Sequence, residues 1–480
     1  MIDTVALKRK IIDMATSGAL SSLDKNDEST EALFRRLPEP SKKRKRLLGQ
    51  EYDYDELFEI PKHWKWIKLG LISSYGDTPT KVMPNEADPN TWILELEDIE
   101  SGGRLIEKKR VSDKDAIGEK IAFKKNQVLY SKLRPYLKKV LVADEDGIST
   151  PELISSEIYG DIVPEYIVLC LTNSYVDRVI NKRSYGVKMP RVDAGFMVNL
   201  PIPIPSVQEQ RRIVNVVNSA FEHILTISEL QSTYASDLEV LKSKIIDAGI
   251  QGKLTEQLPE DGNAEDLYAA IQEEKNKLIK EKKIKKSKAL PEITEDEIPF
   301  EIPDNWKWIR LDELSKNIDN AFADGPFGSN LKTEHYTKKP EVRIIQLSNV
   351  GELGWKNDNT KYTTYEHLKT IERSAVDPGN IVIAKMMPAG RAIIVPDVSE
   401  KYVLSSDCVK FVPHESLSSE YIYYAINSET FKKQVMQEVT GVGRTRTSLS
   451  KLRKYLIPLP PLAEQLRIVE KIKDTLSLCI

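Results

Sequence analysis

LKRKIIDMATSGAL at residues 7–20 returns at 241–254 as LKSKIIDAGIQGKL, identical at 8 of 14 positions. FEIPKHWKWIKL at 58–69 returns at 300–311 as FEIPDNWKWIRL, identical at 9 of 12. A third pair joins them, PIPIPSVQEQRRIV at 201–214 and LIPLPPLAEQLRIV at 456–469. The offsets of 234, 242 and 255 residues drift as loops of unequal length make them drift. The chain is therefore an internal duplication, and that repeat governs how the rest is read. Between the matched blocks the two long middles differ almost everywhere. A constant frame carries two divergent inserts.

From Gln208 to Gly252 there is no proline, and glycine stands only at 249 and 252. Apolar residues recur in alternating steps of four and three: Ile213, Val217, Ala220, Ile224, Ile227, then Tyr234, Leu238, Leu241, Ile245 and Ala248. Gln231 is the one break. This is a heptad seam and predicts a coiled coil, with a long bundle helix as the plainer alternative. At 1.5 Å per residue, roughly 45 residues make a rod about 67 Å long. Residues 463–480 match the first part of this rod and 1–20 its last part, so the two chain ends are nearly a second copy, lacking the equivalent of 226–234. They are expected to lie antiparallel to the central helix and to meet near its middle. Short β-branched runs and helical stretches alternate in the inserts, as α+β domains require.

The predicted fold class is thus α+β, two α+β domains joined by a long antiparallel coiled coil with a pseudo-two-fold repeat. Its expected parts are an N-terminal coiled-coil helix at 1–20, a charged linker at 21–57 and the first insert at 58–205. A central coiled-coil helix at 206–254 and a charged linker with a helix at 255–299 follow. The second insert at 300–460 and a C-terminal coiled-coil helix at 461–480 complete it. The basic runs at 42–46 and 281–288 read as solvated linker.

With 480 residues, several domains are expected. A net charge of −3 means that any nucleic-acid binding comes from local patches. No apolar run approaches the roughly 20 residues that span a bilayer, the start lacks a signal-peptide core, and Cys170, Cys408 and Cys479 are too scattered for a thiolate site. A soluble, cytoplasmic chain without membrane contact is expected. Neither a phosphate-cradling GxxxxGK[ST] loop, a GxGxxG turn, a HExxH pair nor a GxSxG elbow occurs. No catalytic and no metal-binding residues are therefore expected, and a binding protein is favoured.

Basic clusters stand at comparable places in both inserts. SKLRPYLKK at 131–139 supplies Lys132, Arg134 and Lys138, and the next cluster supplies Arg183, Tyr185, Lys188 and Arg191. Its counterpart, offset by 255, supplies Arg444, Arg446 and Lys451, with Arg191 matching Arg446. Arginine grips phosphate or guanine bidentately, which makes these residues DNA-binding candidates. The turn DGPFGSNLK at 324–332 adds Phe327, Ser329, Asn330 and Lys332, and Lys385 and Arg391 complete the set. Chance clustering on a soluble surface and an ordinary structural turn are the alternatives. Trp64, Trp66, Trp306 and Trp308 read as core anchors of the strand leading into each insert, and the proline runs at 201–205 and 457–460 as stiff extended approaches to the helices. On the rod, Glu209, Gln210, Ile213, Ile224, Leu238, Glu464, Gln465 and Ile468 are the partner-binding candidates.

These features together resemble the specificity subunit of type I restriction–modification enzymes over nearly the whole chain. The resemblance is carried by IPxxWxWxxL at 60–69 and 302–311, by the two proline runs followed by Glu-Gln and Ile-Val, by the SGAL and QGKL endings, and by DGPFGSNLK. It implies that each insert is a target-recognition domain reading one half of a split double-stranded DNA site. It implies that the helices set the spacing and dock two methyltransferase subunits, with restriction subunits joining. Catalysis would then lie outside this chain. S-adenosylmethionine would sit in the methyltransferase partner, for adenine modification, and ATP and Mg in the restriction partner. The rival readings are a structural adaptor whose inserts bind proteins and a self-contained restriction or modification enzyme, for which no room remains.

Overall fold

The computed structural model describes residues 1–114, 117–184, 186, 189–286, 288–352, 354–358, 360–386, 388–397, 401–437 and 446–479. Helices and strands are mixed throughout. The chain divides into two compact units, Met1–Thr233 and Tyr234–Ile480.

In the first unit the strand Lys65–Lys68 pairs antiparallel with Pro201–Ile204, setting Trp66 opposite Pro203. In the second, Lys307–Arg310 pairs with Leu456–Leu459, setting Trp308 opposite Pro458. The proline runs, expected as stiff extended approaches to the helices, are β-strands. Proline lacks an N–H and is tolerated in a two-stranded ribbon, where each strand has a free edge. The consequence is mechanical: the two ends of each insert are tied to one another. Trp64, Trp306 and Trp308 are buried, while Trp66 is half-buried against Phe58 and Tyr175.

Each unit also holds a five-stranded sheet with one parallel pair at its centre. In the first unit that pair is Trp92–Leu94 with Gly147–Ser149, and in the second Val342–Ile345 with Lys401–Leu404. The strands WIL and VRII are buried along their whole length, Arg343 included, as strands covered on both faces are. Beside it lies a sheet of three strands in the first unit (Val140–Val142, Val128–Ser131, Leu153–Ser156). The second unit has four there: Phe322–Asp324, Cys408–Phe411, Ile381–Ala384 and Ala392–Ile394. Helices Pro164–Thr172 and Ser419–Asn427 cover these sheets. Proline at the first helical position starts one of them; the Ser418 side chain, accepting from the Tyr421 N–H, caps the other. Tyr166 donates to the Pro203 carbonyl at 2.9 Å and Tyr421 to that of Pro458 at 2.7 Å, fastening each helix to its outgoing strand.

The Glu-Gln pairs are the junction. Gln210 accepts the Val163 N–H at 2.8 Å and donates to the Pro205 carbonyl at 3.0 Å. Gln465 likewise accepts from Ser418 at 2.9 Å and donates to Pro460 at 2.8 Å. Glu209 accepts from Ser21 at 2.7 Å and lies 3.0 Å from His63 Nε2. Glu464 accepts from Trp306 Nε1 at 2.8 Å, Gln257 at 2.9 Å and Thr255 at 3.1 Å. All four side chains are fully buried. One turn later Arg212 meets Asp27 and Arg467 meets Asp261, with N–O distances of 2.5 and 2.6 Å. These guanidinium bonds hold both aspartates below the ordinary carboxyl range.

Val207–Ile250 is one helix of 44 residues. In the first unit the N-terminal helix Thr4–Thr16 runs antiparallel to it, with Ile2 bonded to Gln231, Lys8 over the Phe221 ring and Ser21 at Glu209. In the second, Ile468 and Ile472 of Leu462–Ser477 lie on Gly249, and Glu464 lies at Thr255, again antiparallel. Ile213, Val217, Ile224 and Ile245 of the predicted seam are buried. Tyr234 and Leu241 are not, at 57% and 48% exposure. Gln231, read as the break, is half-buried and bonds Ile2 in both directions. A straight helix drifts against a 3.5-residue repeat, and a four-residue step through Gln231 and Ala235 restores the register at Leu238.

The basic run at 42–46 is corrected as well. It forms the helix Lys42–Leu48, and Arg44, only 2% exposed, bonds Asp77 at 2.6 Å and Tyr159 at 2.9 Å. The acidic stretch after it packs down too, Asp55 pairing with Lys182 and Arg178 at 2.8 and 3.1 Å.

Gly18 and Gly252 follow the repeated helix ends with φ of +83° and +72°. A Cβ there would stand 2.4 Å from Pro61 Cγ and 2.8 Å from Pro303 Cγ. Gly18→Ala and Gly252→Ala should each cost about 1–3 kcal/mol, read as a lowered unfolding midpoint in urea. A second expectation concerns acid. Because Asp27 and Asp261 titrate lower when folded, their stabilisation is complete above the unfolded value of about 3.9 and is lost as pH falls through the lowered one. Thermal melts from pH 5 to 3 should fall more steeply for the wild type than for the Asp27→Asn/Asp261→Asn variant.

Candidate nucleic-acid interface

The strand Val128–Ser131 runs into the basic segment of the first insert, and Ile381–Ala384 occupies the matching place in the second. Each segment is met by an extended stretch from far along the chain. Leu133 forms an antiparallel bridge with Arg191, and the Val192 N–H donates to the Lys132 carbonyl at 3.1 Å. Met386 forms the same bridge with Arg446, and the Thr447 N–H donates to Lys385 at 3.0 Å. Two basic segments about 60 residues apart in each insert are thereby brought side by side.

In the first unit the segment turns sharply at Pro135–Leu137. Arg134 and Lys138 flank that turn, both with φ of 50°, left-handed conformations that cost a non-glycine residue of the order of 1–2 kcal/mol. The strain is held by the Arg134 N–H bonded to the Pro190 carbonyl at 2.7 Å and by Lys138, which bonds the Thr172 carbonyl at 3.1 Å and Asp177 at 3.0 Å. What the turn achieves is exposure: the Arg134 side chain projects outward beside exposed Tyr136, without an ionic partner among the described residues. Backbone strain that presents a charge outward is a mark of a functional turn.

In the second unit the turn 324–332 is fixed at its base and open at its tip. Asp324 pairs with Lys385 at 2.5 Å. A Cβ on Gly325 would strike the Ser405 carbonyl oxygen at 1.9 Å, so the turn lies directly on that backbone. Beyond it Phe327, Ser329, Asn330 and Lys332 are exposed, Phe327 by 79%. The Asn330 carbonyl accepts from His367, whose ring stacks on His335 at 4.0 Å.

These placements sort the candidates. Lys132, Arg134, Arg183, Phe327, Ser329, Asn330, Lys332 and Arg446 have surface available. Lys385 does not: it is 4% exposed, and the neutralised pair with Asp324 is structural. Lys138 is committed to Asp177, Arg191 to Glu152 at 2.9 Å and Arg391 to the Pro388 carbonyl and Glu352, so each is corrected from free cation to bonded one. Lys451 is half-buried. Tyr185, Lys188 and Arg444 lie outside the described residues. The acids that absorb these cations sit far off in sequence, so no local pattern announced them. The rod candidates are also corrected. Glu209, Gln210, Ile213, Ile224, Glu464, Gln465 and Ile468 are buried within the chain and Leu238 is half-buried, so they shape the helices rather than offer a surface. Among the described residues no group of three His, Cys, Asp or Glu is placed to hold a metal, and no helix is long and apolar enough to cross a membrane.

Residues 303–480 match the family described as type I restriction modification DNA specificity domain. Along 98% of its length the chain is 25% identical to the type I restriction enzyme EcoEI specificity subunit of Escherichia coli, covering 89% of that protein. It is 24% identical to the EcoAI specificity subunit of the same organism, again over 98% of this chain and 89% of that one. A solved chain from a study of complex assembly and conformational transition in a type I R-M system is 18% identical. It shares the fold with a TM-score of 0.61, over 88% of this chain and 92% of that one. Residues 303–480 thus resemble a type I DNA specificity domain, and the chain as a whole is similar to type I restriction enzyme specificity subunits.

If Arg134 and Arg446 read bases, Arg134→Ala and Arg446→Ala should each weaken binding to the recognised DNA by about 1–3 kcal/mol with little change in salt slope. If they hold phosphate, the slope of log K against log salt should drop by about one instead. Anisotropy titrations across salt concentrations separate the two, and unchanged binding removes the residue from the interface.

Proposed function

We infer that this chain is the DNA specificity subunit of a type I restriction–modification complex, itself non-catalytic, and that each insert reads one half of an asymmetric, two-part DNA site. The observation that supports this best is the repeated bridge, Leu133 with Arg191 and Met386 with Arg446, which sets basic segments together on two otherwise unlike inserts. Phosphate contacts supply salt-dependent affinity, base edges supply discrimination, and linkage of the readers raises the effective concentration of the second contact.

In this reading residues 58–205 and 300–460 are the target-recognition domains. Residues 1–20, 206–254 and 461–480 form an antiparallel coiled coil with a pseudo-two-fold relation, joined through 21–57 and 255–299. The coiled coil fixes the gap between half-sites and docks two methyltransferase subunits, which hold S-adenosylmethionine and flip an adenine out of the duplex in each half. Restriction subunits bring ATP and Mg. The complex works in the cytoplasm, where the DNA is.

The test is to co-express the chain with its methyltransferase partner and sequence methylated adenines. A two-part site with a constant gap is expected, and its formation should fall steeply with salt in purified complex. An unmodified genome together with salt-insensitive binding to protein alone would favour the adaptor reading.

A further inference from the structure

The turn Ser405–Asp407 joins the strands Lys401–Leu404 and Cys408–Phe411 in the second unit. It is anchored chiefly through its main chain. The Ser405 N–H donates to the Ile345 carbonyl at 2.9 Å, the Ser406 carbonyl accepts from Arg446 Nη2 at 3.0 Å, and the Asp407 carbonyl accepts from the Lys385 N–H at 2.9 Å. Above it opens a recess of about 280 Å3, lined by Leu331, Tyr336, Gln346, Ser405 and Asp407 among others. The Asp407 side chain is half-buried in its wall and has no partner among the described residues. The recess lies between two candidate DNA-contacting elements. On one side Arg446 bonds the same turn; on the other the glycine-rich turn starts on Ser405 and ends at Leu331 on the rim.

A carboxylate in such a place works against binding. It faces a polyanion, loses hydration as DNA arrives, and gains nothing from phosphate. It becomes favourable only when it accepts from a donor on the DNA. In the major groove those donors are the exocyclic amines, N4 of cytosine and N6 of adenine; guanine O6 and thymine O4 at the same edge are acceptors and would leave two facing anionic or partially negative oxygens. We propose that Asp407 is a specificity-determining residue of the second insert, accepting from the exocyclic amine of a cytosine or adenine and rejecting the keto base of the same ring size. The proposal rests on the specificity-subunit reading and names one reader within it.

The experiment is methylation sequencing in cells carrying the full chain with its methyltransferase partner, for wild type, Asp407→Asn and Asp407→Ala, with Arg134→Ala for comparison. A wild-type complex that yields no two-part site would defeat the underlying reading rather than this residue. Given a wild-type site, Asp407→Asn, whose amide both donates and accepts, should admit the transition pair (cytosine to thymine, or adenine to guanine) at one position. Discrimination there should fall by roughly tenfold to a hundredfold. That position should lie in the half-site that Arg134→Ala leaves unchanged, with the gap preserved. Asp407→Ala should relax the same position and bind unrelated DNA no more weakly than wild type. Co-purification with the methyltransferase checks assembly, and the isosteric Asn variant decides if the Ala variant fails to assemble. Unaltered site logos from an assembled Asn variant, or relaxation in the other half, would overturn the assignment.

Discussion

A carboxylate buried at the start of a helix needs donors, and here the donors come from different parts of the chain. Glu464 is satisfied by Trp306 from the strand leading into the insert and by Thr255 and Gln257 from the segment after the central helix. Glu209 is satisfied by Ser21 and approached by His63 from the corresponding places. Leaving such a group unpaired costs several kcal/mol, so these segments are bound to arrive together. The neighbouring glutamines extend the same demand to the first turn of an insert helix and to the outgoing strand. Each junction thereby couples helix, linker and insert into one cooperative body.

That coupling explains the pattern of constancy and divergence. Most of what builds a junction is repeated: the tryptophan strand, the proline strand that pairs with it, the Glu-Gln turn, the arginine–aspartate pair beyond it and the glycine that ends the helix. What lies between the paired strands differs almost everywhere, while the strands tie the two ends of each insert together at the frame. The two sheets keep a similar topology, yet the turns on them differ. One insert presents a strained turn opening at Arg134; the other presents a glycine-rich turn tipped by Phe327. A frame that fixes where a reader sits, while leaving open what it reads, suits a subunit that confers specificity.

The repeat, the mixed inserts and the long central helix were legible in the residues, since periodicity and duplicated motifs are properties of sequence. Tyr234 and Leu241 were misread because a strict heptad was extended through Gln231, whereas the helix takes four-residue steps from Gln231 to Ala235 and from Leu238 to Lys242. The pairing of the proline runs was not legible because proline argues against a strand until its neighbour is known, and that neighbour lies about 140 residues away. The basic clusters were only half legible. Lysine and arginine announce positive charge, but Glu152, Asp177 and Asp324, which neutralise Arg191, Lys138 and Lys385, are set against them by the fold alone. Arg134 stood among equals in SKLRPYLKK; exposure without an ionic partner among the described residues singles it out. The junction glutamates looked like partner-binding residues on the rod, and burial gives them a different task.

The claim at the centre is that the paired strands separate a constant frame from an interchangeable reader. It is tested most directly by replacing the second insert, from Leu311 to Tyr455, with the first insert's Leu69–Leu200 and sequencing the methylated sites produced with the methyltransferase partner. The account predicts a complex that assembles and modifies a site in which the first half-site occurs twice. Retention of the original second half-site, or loss of assembly despite intact paired strands and Glu-Gln junctions, would contradict it.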